Sequence, residues 1–98
     1  MVLATTPFDP TDFIEDAEAV EVYLVDAFES EDAAVISDAL GVVARSRGMS
    51  ALAADTGLSR QALYKALSHD GNPAFATVLR VAHALGFRLT PSRIEARG

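Results

Sequence analysis

MSALAADTGLSRQALYKAL, residues 49–67, is the stretch whose reading decides the fold. Two short runs of helix-forming residues flank Gly57-Leu58-Ser59. Gly57 suits the left-handed residue that ends a helix, and Ser59 suits the N-cap of the next. The expected elements are a helix over 51–56, capped by Ser50, and a second over 60–67, capped by Ser59. Ala53, four residues before Gly57, is small enough to let the two helices cross closely. Across the turn and the second helix, Leu58, Ala62, Leu63, Ala66 and Leu67 form the inward set, and Arg60, Gln61, Tyr64 and Lys65 can face outward. A rigid helix pair with one polar, cationic helix is a shape the DNA major groove admits.

The outward residues have matching chemistry. Arg reads guanine and Gln reads adenine, each through two hydrogen bonds. Tyr64 and Lys65 lie about one turn further on, within reach of bases or phosphates. Ser50, Ser59 and Ser68 sit at expected helix ends, where hydroxyls and backbone N–H groups bind phosphate. The bland alternative for Arg60 and Lys65 is a solvated helix face. For Tyr64, core packing and DNA contact stand equally open.

Outward from this unit the chain reads as more helices. Val20, Tyr23, Leu24, Ala27 and Phe28 recur at helical spacing, predicting a helix from about Ala17 to Phe28 with Asp16 as N-cap. Ser30-Glu31-Asp32 opens the next, which runs to about Ser46 with Val35, Ile36, Ala39, Leu40, Val43 and Ala44 inward. Gly41 inside it costs about 1 kcal/mol relative to Ala, which a close helix contact would justify. Gly48 stops it, with Arg45 and Arg47 in the last turn. After the central pair, 68–73 is a loop by composition. Asn72 then suits an N-cap and Pro73 a first helical residue. That helix runs to about Leu85 with Phe75, Val78, Leu79, Ala82 and Leu85 inward, and Gly86 ends it. Phe87-Arg88-Leu89-Thr90 alternates as a short strand would, and such a strand would need a second copy of the chain to pair with. Residues 91–98 form a polar tail. Pro7 and Pro10 make residues 1–15 an extended arm, whose Phe8, Phe13 and Ile14 suit docking on a surface. The expected fold is all-α: five helices preceded by an extended N-terminal arm.

At 98 residues the chain is long enough for one domain with a modest core. It has no cysteine, which removes disulfides, thiol catalysis and Cys-based zinc sites and fits a reducing compartment. His69 and His83 have no companion ligands that would mark a metal or catalytic site, and no glycine-rich phosphate loop follows a strand. The reading is therefore no enzyme, no metal and no cofactor. No apolar run reaches membrane-span length, and MVLATTPFDPTDF carries no basic residue ahead of an apolar region, so a cytoplasmic location is expected.

Net charge is −6, but it is divided. Asp9, Asp12, Glu15, Asp16, Glu18, Glu21, Asp26, Glu29, Glu31, Asp32 and Asp38 face no Lys or Arg in residues 1–40, giving −11. Arg45, Arg47, Arg60, Lys65, Arg80, Arg88, Arg93 and Arg97 against Asp55, Asp70 and Glu95 give +5 in residues 41–98. The two parts offer opposite fields to partners.

Arg45-Ser46-Arg47-Gly48-Met49-Ser50, Thr56-Gly57-Leu58-Ser59-Arg60 and Leu63-Tyr64-Lys65-Ala66-Leu67 resemble a helix-turn-helix domain of the lambda-repressor-like class. Gly71-Asn72-Pro73, Phe75-Ala76-Thr77-Val78-Leu79, Ala84-Leu85-Gly86 and the early Pro7-Phe8-Asp9 narrow the resemblance to addiction-module antidote proteins, the antitoxins of type II toxin–antitoxin pairs. The resemblance implies an antitoxin that neutralises a small basic toxin of ribonuclease type and represses its own operator DNA as a homodimer. The capped helix pair puts Ser50, Ser59, Arg60, Gln61, Tyr64, Lys65 and Ser68 at the DNA. The acidic residues 1–30 are then the expected toxin-contacting part, packed on the same domain, with Phe8, Phe13, Glu18 and Glu21 as candidates, and 31–98 the DNA-binding domain. The rivals are a stand-alone helix-turn-helix transcription regulator and a protein-interaction module without DNA binding.

Overall fold

The computed structural model describes residues 17–95; Phe8, Phe13 and the Asp16 cap lie outside them. The described residues form five α-helices and no strand: α1 (Ala17–Glu29), α2 (Ala33–Arg47), α3 (Met49–Thr56), α4 (Arg60–Ala66) and α5 (Phe75–Ala84). The all-α expectation is met.

α1 and α2 pack as a hairpin. Val20, Leu24 and Ala27 line one face of α1 and meet Ala39, Leu40, Val43 and Ala44 of α2 in a shared core. Both sets follow the three-four spacing that puts side chains on one stripe. Asp32 caps α2, its carboxylate accepting from the N–H of Ala34 at 2.9 Å and of Val35 at 3.4 Å. Ahead of it Glu31 has φ 56, a left-handed conformation that only Gly adopts without cost. Tyr23, half-buried, has its phenol pKa raised by burial and by the Asp38 carboxylate, with Arg45 offsetting part of the rise. Val35, expected inside, is on the exposed side of α2.

α2 turns directly into α3. Gly48, at φ 107, donates its N–H to Ala44 O and accepts from Leu52 N at 3.1 Å. One residue thus ends α2 and starts α3. The expected helix start at Ala51 and the Ser50 cap are corrected: Ser50 lies in the first turn, exposed. There is no connecting loop for it to close.

α3, the turn 57–59 and α4 follow the sequence reading closely. Gly57 is left-handed at φ 77 and donates to Ala53 O at 2.9 Å. Ser59 caps α4 by accepting from Ala62 N at 3.0 Å. Leu63 and Leu67 are wholly buried, while Ala62, expected inside, is exposed. Burying a leucine contributes about 2 kcal/mol each, so these two hold α4 on the core. Gly41 of α2 faces the end of α4, where a Cβ would meet the Leu67 carbonyl oxygen. The expected close contact at Gly41 is therefore between α2 and α4.

α5 departs most from expectation. It begins at Phe75, with the extended Ala74 in the cap position and no side-chain cap bond; Asn72 and Pro73 lie in the preceding connection. Gly71 folds back under the end of α4, its N–H bonding Ser68 O at 2.9 Å, and residues 72–74 must travel on to α5. The inward stripe is Val78, Val81, Ala82 and Leu85, whereas Phe75 and Leu79 are 71% and 40% exposed. The apolar residues of this helix outnumber one face, and packing against α3 chooses between two stripes. Gly86, at φ 97, ends the helix as expected. Residues 87–90 form no strand: Phe87 N bonds back to Ala82 O at 2.8 Å, which tucks Phe87 against the core. None of these helices is long and apolar enough to cross a membrane.

Candidate nucleic-acid interface

α4 presents a polar face because its apolar residues leave only one side for water. Leu63 and Leu67, four apart, point into the core. Arg60 and Tyr64, and Gln61 and Lys65, form two adjacent four-residue steps on the other side. All four are exposed, Tyr64 at 44%, which removes core packing as its role. None of the four makes a side-chain hydrogen bond or ion pair to another described residue. Two cations, one amide and one phenol are thus available on one rigid face.

The three serines separate. Ser59 accepts from Ala62 N–H, so its own proton can still be donated outward, beside Arg60. Ser68 donates its proton to Lys65 O at 3.1 Å and keeps only lone pairs, which suit an anion poorly. Ser50 is exposed in the first turn of α3, among N–H groups that the helix leaves without carbonyl partners. The structure thus brings Ser59, Arg60, Gln61, Tyr64 and Lys65 together on α4 and its cap.

Two other basic residues are used inside the fold, which composition could not reveal. Arg80 of α5 donates to Thr56 O at 3.3 Å, the last residue of α3. Arg47 donates to Leu85 O at 3.4 Å, at the end of α5. Each places a cation at a helix C-terminus, where the dipole is negative. Thr56 itself is buried, donating to Leu52 O at 2.8 Å and accepting from Leu58 N at 3.3 Å. These bonds hold the turn that aims α4.

On the acidic part, Glu18 and Glu21 are exposed on α1. Beside Glu21 lies a cleft of about 550 Å³ that the sequence did not reveal. Val25, Phe28 and Glu29 continue the α1 wall, Leu24, Leu40 and Ala82 make the floor, and Phe75 with residues 87–92 makes the far wall. Its one available signal was Val25, an apolar residue off the buried α1 stripe. Among the described residues, no group of three His, Asp or Glu is placed to hold a metal ion.

A family model described as "Probable addiction module antidote protein" matches residues 4–93. A Haemophilus influenzae protein described as uncharacterized is 43% identical over 88 residues, covering 88% of this chain and 91% of its own. No solved structure matches the chain. The all-helical fold and a match across nearly the whole sequence agree, and the chain belongs to the family of probable addiction module antidote proteins.

Proposed function

We propose that this chain is an antitoxin that neutralises a small basic toxin of ribonuclease type and represses its own operator as a homodimer. α3 and α4 act as a helix-turn-helix, with α4 in the major groove. The observation that carries the DNA reading is the unpartnered face of Arg60, Gln61, Tyr64 and Lys65 on a helix anchored by buried Leu63 and Leu67. Arg60 and Gln61, at the start of α4, read base edges; Lys65 meets phosphate, with Ser59 donating nearby. One such helix reads few base pairs, so specificity calls for two half-sites about 34 Å apart and hence for two copies of the chain. Family membership supports the antitoxin role. Residues 1–30 serve the toxin and residues 31–98 the DNA, and the −11 of the first forty residues speeds encounter with a basic toxin. Binding to an operator implies action in the cytoplasm.

Gel-shift titration against the DNA upstream of the chain's own coding sequence tests the DNA reading. Arg60→Ala should lose affinity and sequence preference, by about 1–3 kcal/mol for a bidentate base contact. Lys65→Ala should weaken all sequences alike and reduce the salt slope by about one. Parent-like binding by Arg60→Ala would remove the recognition assignment. Co-purification with the basic protein encoded beside this chain tests the antitoxin half.

A further inference from the structure

We propose that the cleft between α1 and residues 87–92 seats a cationic amphipathic helix of the toxin. The inference rests on the antitoxin reading and names the surface that reading leaves open. Glu21 and Glu29 both line the cleft on α1. Eight residues apart, they stand about 12 Å from each other along the helix. Val25, 45% exposed, is midway between them, and Phe75, 71% exposed, faces them from the far wall. The pattern is acid, apolar, acid along one wall, with an exposed aromatic opposite. Its complement is a helix with basic residues about two turns apart and an apolar side chain between them, the helix-in-groove mode of recognition. Arg88 is the one cation among the lining residues against two carboxylates, so the rim is net acidic.

Charge selects this occupant over the alternatives. A second copy laid symmetrically across the cleft would bring one acidic α1 against another. The chain's own residues 1–16 include Asp9, Asp12, Glu15 and Asp16 and no basic side chain, so they share the rim's sign. Like charges across an interface disfavour pairing.

Fluorescence anisotropy with a labelled leucine–lysine amphipathic helix peptide, and with its leucine–glutamate twin, tests the cleft on the full chain. The lysine peptide should bind and the glutamate twin should not. Val25→Arg and Phe75→Ala should each weaken binding about tenfold or more, as loss of a central anchor does. Both residues are exposed, so circular dichroism should match the parent. Val22→Arg adds the same charge to α1 at a position that is 61% exposed and outside the cleft, and should leave binding within about twofold of the parent. Equal loss in Val22→Arg and Val25→Arg would mean diffuse charge attraction and overturn the proposal. Tighter peptide binding by a Phe8→Ser, Phe13→Ser chain would make the chain's own arm the occupant and overturn it. A change from dimer to monomer in Val25→Arg, by light scattering, would make the occupant a second copy and overturn it too. The basic protein encoded beside this chain, co-expressed with it, separates the two levels. If it binds Val25→Arg and Phe75→Ala as it binds the parent, the cleft is wrong and the antitoxin reading stands. If it does not bind the parent, both fall.

Discussion

Gly41→Ala should destabilise this protein, although replacing a helical glycine by alanine ordinarily stabilises. In an open helix interior the change gains about 1 kcal/mol. Here the new methyl group would overlap the Leu67 carbonyl oxygen and come within 3.2 Å of the Leu67 carbonyl carbon. The Arg45 guanidinium is also 3.2 Å away, but that side chain can move. Leu67 cannot move cheaply: its side chain is wholly buried and its N–H bonds Leu63 O at 2.9 Å, closing α4. Overpacking of this kind costs about 1–3 kcal/mol, and a backbone obstacle belongs at the upper end. The net expectation is a loss of about 2 kcal/mol, a large share of the stability of a small domain. Urea unfolding followed by helical circular dichroism should show a midpoint lower by about 1–2 M with an unchanged slope. The same shift of α4 away from α2 should weaken the proposed operator binding more than an equally destabilising change in α1. A Gly41→Ala protein as stable as the parent would refute the close approach of α2 and α4.

Other perturbations follow from the local geometry. Thr56→Val keeps the shape but removes the hydroxyl that bonds Leu52 O and Leu58 N, so it should cost about 1–2 kcal/mol, read as a thermal midpoint lower by roughly 5–10 °C. Glu31→Gly relieves a left-handed residue at φ 56 at the cost of a freer unfolded chain, and calorimetry should show a gain of up to about 1 kcal/mol. Tyr23 has its pKa raised in the folded state above the ordinary tyrosine value of 10.0, so the unfolded chain releases the phenol proton first. Its contribution to stability is complete below pH 10.0 and is lost as pH rises through the folded pKa. Urea midpoints should therefore fall on the alkaline side in the parent, and less steeply in Tyr23→Phe.

The helix pair was legible because its signals are local. Gly57 and Ser59 act within one turn of themselves, through a positive φ and a capping bond, so residues 49–67 already contained the turn. Leu63 and Leu67 were legible because four-residue spacing puts both on one side of any helix. The start of α3 was misplaced since Gly48 serves two helices at once, which depends on the angle between them. The assignment of Ser59 and the α4 face to DNA is a proposal built on exposure and available donors, whereas Ser68 has given its proton to Lys65 O.

Residue order alone determined that this chain is helical, where its five helices end to within a residue, and that acid precedes base along it. Those properties follow from propensity, capping and counting, each a matter of neighbours in sequence. Tertiary structure decided which of two apolar stripes α5 buries, leaving Phe75 outside and Val81 inside. It committed Arg47 and Arg80 to helix ends while Arg60 and Lys65 stayed available. It also placed Phe75 and residues 87–92 opposite Glu21, Val25 and Glu29 of α1. Those pairings join residues 24 or more positions apart, and a helix with apolar residues on two sides cannot choose between them until another helix covers one.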